Sequence, residues 1–269
     1  MFKRVFSRQN YYLIRELVRT DFKLRYQASI LGYLWTLLKP LLLFAILYTV
    51  FTKFLRFGAG VPNYALSLLL GIVLWSFFVE ATSQSLKSIV SQGGLIRKIK
   101  IPRYMIPAAT IISAFINMVL NLIVVFIFLA FAKMNALSWA TIIVLPLLIL
   151  ELTVLAVAVG LFLAAVFVRF RDMDHIWEVM RQALFYTIPI IYPITFIPSE
   201  TIRKIIMLNP LAQIIQDARY FVTYGGSLRI GDAYGSQLVI LIPIGLVMLA
   251  LTIGIAIFKK EAKHFAENA

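Results

Sequence analysis

Cysteine is absent from this chain of 269 residues, which excludes disulfides and thiolate metal sites. Imidazole is nearly absent. His175 and His264 are the only two, and neither has a partner at ligand spacing, so no metal site is expected. Acids are scarce as well, 12 against 26 Lys and Arg, for a net charge of +14. Glu80 and Glu151 are the only acids deep inside apolar runs, and they stand in different runs. No paired carboxylates and no Ser/His/Asp set can be assembled with any specificity, so no catalytic residues are expected. No G-x-x-x-x-G-K-[ST] loop occurs. The two Gly-Gly pairs, Gly93-Gly94 and Gly225-Gly226, lack the lysine spacing that cradles phosphates. The chain is therefore not expected to hydrolyse nucleotide by itself. Low-complexity segments and clear repeats are missing too. Lys3, Arg4 and Arg8 are not followed by an apolar core, so no cleavable signal peptide is expected.

What the chain has is apolar length. Hydrophobic residues make up 61% and charged residues only 14%, and the mean hydropathy is +0.90. A bilayer core of ~30 Å takes about 20 apolar residues per helix, and several such runs are present. The fold class is an all-α polytopic membrane protein; a β-barrel would show short alternating segments instead. The positive charge then reads as contact with anionic lipid and as the positive-inside rule, not as nucleic-acid binding.

Residues 1–30 form an N-terminal cytoplasmic segment. Tyr11, Ile14, Val18 and Phe22 recur at helical spacing, and Arg15, Arg19 and Lys23 recur every four residues on a neighbouring face. This predicts an amphipathic helix in the membrane interface; a soluble cap packed on other cytoplasmic segments would carry the same pattern. A transmembrane domain over 31–258 follows, with six spans at about 31–54, 64–81, 108–131, 139–168, 176–197 and 236–258. A basic tail, 259–269, closes the chain. Lys39-Pro40 interrupts the first span. An intramembrane lysine faces a bundle interior or snorkels, and the proline kinks the helix. Asn117 and Asn121, four apart, can make interhelical hydrogen bonds. Pro189 and Pro193 break the fifth run, and such a break is tolerated only inside protein or along a water-filled path. Residues 199–224 are too charged to span. Pro198-Ser199-Glu200 opens one short helix and Asn209-Pro210 starts a second, and both are expected in the outer leaflet.

Ser91–Pro107 separates the second and third spans and holds four basic residues and no acid. Leu95, Ile96, Ile99 and Ile101 interleave with Arg97, Lys98 and Lys100, with Arg103 beyond, as in a short amphipathic helix. It reads either as a charged connector that sets topology or as a dock for a soluble partner. With six spans, one side carries 18 Lys and Arg and the other 7, and Lys39 lies within a span. The richer side, with both termini, is cytoplasmic. Aromatics are abundant, and some could line a path for the apolar faces of sugar rings. Lys53, Arg56, Arg203 and Arg219 could meet an anionic substrate at the outer face.

The ordered set Arg25-Tyr26, Ser29, Leu31-Gly32, Trp35, Pro40, Ile96-Arg97-Lys98, Pro102, Phe170-Arg171-Asp172, Pro189-Ile190-Ile191-Tyr192-Pro193 and Asn209-Pro210 resembles the membrane subunit of type-2 ABC exporters for cell-surface polysaccharides: O antigen, capsule and teichoic acid. The resemblance implies a multi-pass permease of the bacterial inner membrane, a homodimer working with two copies of a separate cytoplasmic ABC ATPase. ATP and Mg bind to that partner, and this chain carries no cofactor. It implies ATPase coupling through the N-terminal helix (Arg15, Arg19, Lys23) and the loop 88–104 (Leu95, Ile96, Arg97, Lys98, Lys100, Arg103). It implies an outer gate over 199–224, with Arg203, Asn209, Pro210 and Arg219, and a substrate path flanked by Tyr33, Trp35, Tyr48, Phe51, Trp75, Phe78 and Tyr192. The implied cargo is a glycan linked to undecaprenyl diphosphate. A membrane-embedded glycolipid transferase, or a drug or ion exporter of the same fold, is the alternative.

Overall fold

The computed structural model describes residues 8–26, 29, 31–55, 61–94, 102–132, 138–223 and 227–265. These residues form ten α-helices with short 3₁₀ turns, and no strand occurs among them. The amphipathic N-terminal segment is α1 (Arg8–Tyr26). Its Arg15, Arg19 and Lys23 are exposed and its Ile14, Leu17, Val18 and Phe22 half-buried. The first apolar run opens with a 3₁₀ turn, Gly32–Leu34, continues as α2 (Trp35–Thr49), and ends in a π-helical turn, Val50–Phe54. Then come α3 (Tyr64–Ser91), α4 (Met105–Phe131), α5 (Trp139–Arg169) and α6 (Met173–Thr187). Four more follow: α7 (Glu200–Met207), α8 (Pro210–Thr223), α9 (Ile230–Tyr234) and α10 (Leu241–Glu261).

Among the described residues, five helical segments are long and apolar enough to cross a bilayer: Gly32–Phe54, Tyr64–Ser91, Met105–Phe131, Trp139–Arg169 and Gln237–Glu261. The fifth expected span, 176–197, is built differently. Helix α6 stops at Thr187 and Ile188 is extended, at φ −78° and ψ 132°, because a following proline disfavours the helical conformation. Only a 3₁₀ turn, Ile194–Phe196, follows Pro193. Residues 188–191 are buried all the same, so the break lies within protein, where irregular backbone is tolerated.

Helix α3 runs ten residues past the expected end at Ala81. Its 28 residues span about 42 Å at a rise of 1.5 Å each, more than the ~30 Å apolar core of a bilayer. The final turns carry Ser83, Gln84, Lys87, Ser88 and Ser91. Apolarity ends at Ala81, but helical hydrogen bonding does not. Helix α3 is the hub of the bundle and packs on α2, α4, α5, α6 and α8, and α1 packs on α4. In its most apolar window 72% of α3 is buried, against 6% for the first span. Between lipid-immersed helices, close approach of small residues supplies the van der Waals attraction. Gly254 of α10 shows this: it abuts the main-chain carbonyl of Ala158 in α5, where any Cβ would collide.

Candidate functional site

The short helices α7–α9 gather at the N-terminal end of α3, and α1 lies toward its other end. At the first end the centre is Arg219 of α8, which is 4% exposed. Its Nε donates to the Ser67 carbonyl at 2.8 Å, its Nη1 to the Pro189 carbonyl at 2.6 Å and its Nη2 to the Ile190 carbonyl. Gln216 Nε2 also donates to the Pro189 carbonyl, at 2.9 Å, and the Tyr64 hydroxyl donates to that of Ile191, at 2.6 Å. The need follows from the sequence. In a continuous helix the Pro189 carbonyl would accept from residue 193, which is proline and has no N–H. Side chains of α3 and α8 therefore satisfy the carbonyls of the broken segment, as buried carbonyls require. Arg219 reaches them because Gly71 has no side chain; a Cβ there would collide with the guanidinium. Arg219 was expected to meet an anionic substrate at the outer face; here its guanidinium is buried and donates to three main-chain carbonyls.

The other expected gate residues are mostly structural in this arrangement. Pro210 is the first residue of α8, where its missing N–H costs nothing. The Asn209 carboxamide oxygen caps the same helix, accepting from the Leu211 N–H at 3.0 Å. Arg203 is half-buried on α7 and lines a shallow cavity of about 160 Å³ with Glu200, Lys204 and Asp232. Lys204 holds the Glu200 carboxyl below its usual range through a hydrogen bond. Asp217 is buried beside Arg219's turn and accepts from the Gln213 amide at 2.8 Å and the Ile230 N–H at 3.3 Å. Burial pushes its carboxyl above the ordinary range, against the pull of those donors.

A cavity of about 510 Å³ opens between α2, α3 and α4 at membrane depth. Trp35, Thr36 and Lys39 line it from α2; Trp75, Ser76, Glu80 and Gln84 from α3; Asn117 and Asn121 from α4. Glu80 Oε1 accepts from Asn117 Nδ2 at 2.7 Å and from Gln84 Nε2 at 3.0 Å. The Asn117 carboxamide oxygen is buried without a partner. Asn121 Nδ2 donates to the Asn117 carbonyl at 2.8 Å and to the Thr36 carbonyl at 3.1 Å. The Thr36 carbonyl lacks its helical partner because residue 40 is proline. The asparagine pair thus does what its spacing predicts, bonding between helices, and it repairs the kink at Pro40. The exposed Trp35 indole beside carboxylate, amide and ammonium groups forms a surface whose chemistry suits sugar rings, with apolar ring faces on the indole and hydroxyls on the polar groups.

Of the expected path residues, Trp35 and Trp75 line this cavity. Phe78 is 3% exposed and packs edge-on to Trp177 at 6.2 Å. Tyr48 stacks on Phe44 at 5.6 Å, Phe51 is half-buried, and Tyr33 lies 5.5 Å from the Phe22 ring of α1. Tyr192 caps α6, donating its hydroxyl toward the carbonyls of Tyr186 (3.1 Å) and Thr187 (3.2 Å). Lys39, Glu80, Asn117 and Asn121 were not among the expected path residues. Their signal was present, since polar and ionisable side chains within spans face interior cavities by default.

At the α1 end, Arg103 is half-buried in the turn before α4, and Arg15, Arg19 and Lys23 stay exposed on α1. Leu95, Ile96, Arg97, Lys98 and Lys100, the core of the expected coupling loop, lie outside the described residues. Glu151, on α5, keeps one buried carboxyl oxygen without a partner. No cluster of metal-ligating side chains occurs among the described residues.

Comparison with known proteins agrees with this architecture. A family model described as ABC-2 type transporter matches residues 12–223. A Klebsiella pneumoniae protein named O-antigen export system permease protein RfbA is 30% identical over 256 residues, 95% of this chain and 94% of the relative. A Myxococcus xanthus protein of the same name is 27% identical over 261 residues, 95% of each chain. The Escherichia coli polysialic acid transport protein KpsM is 24% identical over 217 residues, 79% of this chain and 81% of KpsM. The chain belongs to the ABC-2 type transporter family, as a multi-pass permease subunit of a type-2 ABC exporter in the bacterial inner membrane.

Proposed function

We propose that this permease exports a cell-surface polysaccharide, of the O-antigen or capsule kind, while the polymer is attached to a polyprenyl diphosphate lipid. The observation that carries the reading is the match over 95% of the chain to permeases named for O-antigen export. The Trp-flanked polar cavity adds support, because its surface has the chemistry of a glycan path. The charge count puts both termini and the α1 end in the cytosol. With no nucleotide-binding loop in the sequence, the energy comes from a partner ATPase. Two copies of that ATPase serve a homodimer of this chain. They dock on the exposed basic face of α1 and on the basic residues 97–103, and α7 and α8 form the outer gate. Membrane lipids surround the rest of the bundle.

Inactivating the gene in its host tests this reading. The lipid-linked polymer is expected to accumulate inside the cell and to vanish from the surface, with synthesis intact. Unchanged surface polysaccharide in the null strain would refute the proposal.

A further inference from the structure

A second cavity, of about 350 Å³, opens between α1, α3, α4 and α6 at the α1 end of the bundle. Leu17 and Asp21 line it from α1, Ser83 and Lys87 from α3, and Asp174 and Arg181 from α6. Its wall holds one charge that no described residue answers. The Nε of Arg181 is buried and has no hydrogen-bond partner, and no ion pair joins Arg181 to a described residue. The Ser83 hydroxyl, on the same wall, is also buried without a partner. The two acids are already engaged. Asp174 takes the Lys87 ammonium at 2.7 Å, and Asp21 has an interaction of its own. What remains is a guanidinium with an unanswered Nε and a hydroxyl, on residues that line this space of about 350 Å³.

Leaving a partly buried guanidinium unpaired is costly. Its best complement is a doubly acceptor oxyanion such as a phosphate ester, which the planar fork grips with two parallel bonds. Gln84 lies on the wall of both this cavity and the larger Trp-flanked one, and it donates to Glu80. The two spaces are therefore neighbours along α3. A substrate with a charged phosphate headgroup next to its sugars would present its parts in this juxtaposition.

We propose that the Arg181–Ser83 cavity binds the diphosphate headgroup of the lipid-linked polymer, with Arg181 as the anchoring cation. This rests on the polysaccharide reading above for the identity of the substrate. The same phosphate chemistry could come from bulk phospholipid or from free phosphate, so the test separates the sources. The permease and its ATPase are reconstituted together in nanodiscs, and binding of radiolabelled undecaprenyl diphosphate is titrated with phosphatidylglycerol or inorganic diphosphate as competitor. Arg181→Gln is expected to weaken binding about tenfold, the loss of one charged hydrogen-bonding partner. Arg181→Lys is expected to recover part of it, and neither competitor to displace the ligand at equimolar concentration. Ser83→Leu, which fills the cavity from α3, is expected to weaken binding as well. It keeps the test decisive if Arg181→Gln does not assemble. Wild-type affinity in both Arg181→Gln and Ser83→Leu, or equal displacement by either competitor, would overturn the proposal. If polymer accumulates in the null strain while these variants bind normally, the site fails and the export reading stands. If polymer does not accumulate, the export reading fails on its own evidence.

Discussion

Arg219 concentrates the residue-scale physics of this protein. Three main-chain carbonyls from two separate elements accept from one guanidinium, with Gln216 as a second donor to that of Pro189, and a hydrogen bond to a charged group is worth about 1.5–3 kcal/mol. Arg219→Ala is therefore expected to destabilise the folded permease by about 3 kcal/mol or more, read as a lower temperature of half-loss of the monodisperse peak in detergent. Arg219→Lys is expected to recover little, since an ammonium cannot reproduce the fork. Gly71→Ala is expected to act through the same contact, because its Cβ would displace the guanidinium. The double variant should then be little worse than Arg219→Ala alone, as coupled sites are non-additive. Full additivity would show that Gly71 and Arg219 act independently. The sequence marks Arg219 as a cation in an amphipathic stretch and so suggests a surface role. The Pro189–Pro193 spacing announces orphaned carbonyls. What the spacing does not announce is that their donor comes from a helix about 30 residues further on, because that pairing is set by packing.

At the scale of elements, proline and asparagine are linked in the same way. Pro40 removes the donor that the Thr36 carbonyl would have used, and Asn121 of α4 replaces it. Asn121→Ala is expected to destabilise the α2–α4 pairing by about 1–2 kcal/mol. Pro40→Ala restores the intrahelical donor, so the double variant should lose less than the sum of the single losses, with a coupling of about 0.5–3 kcal/mol. Strict additivity in thermal unfolding would contradict this reading of the kink. Apolar length alone marks five long helical segments, and α3 runs on past its expected end at Ala81. There the helix continues through Ser83, Gln84 and Lys87, which hydropathy places outside the membrane but which helical geometry carries on. Those extra turns supply one wall of the Arg181 cavity, so the same misjudged boundary hid that site.

At the scale of the whole molecule, the first span is only 6% buried and the last 17%. They present broad apolar faces that lipid or a second copy of the chain must cover. Across the bundle, polar chemistry follows α3, from the Arg181 cavity past Gln84 to Glu80 and the Trp-flanked cavity. The proposed function makes this line a conduit driven by a partner ATPase through a basic contact. The most direct measurement uses inverted membrane vesicles holding the permease, with lipid-linked polymer and ATP supplied on the exposed cytosolic face. Polymer is predicted to reach the lumen only when the partner ATPase is present. Reversing charge at Arg97, Lys98 and Lys100 together should abolish uptake while the permease stays folded in the membrane. Uptake by the permease alone, or undiminished uptake by the triple variant, would contradict the account.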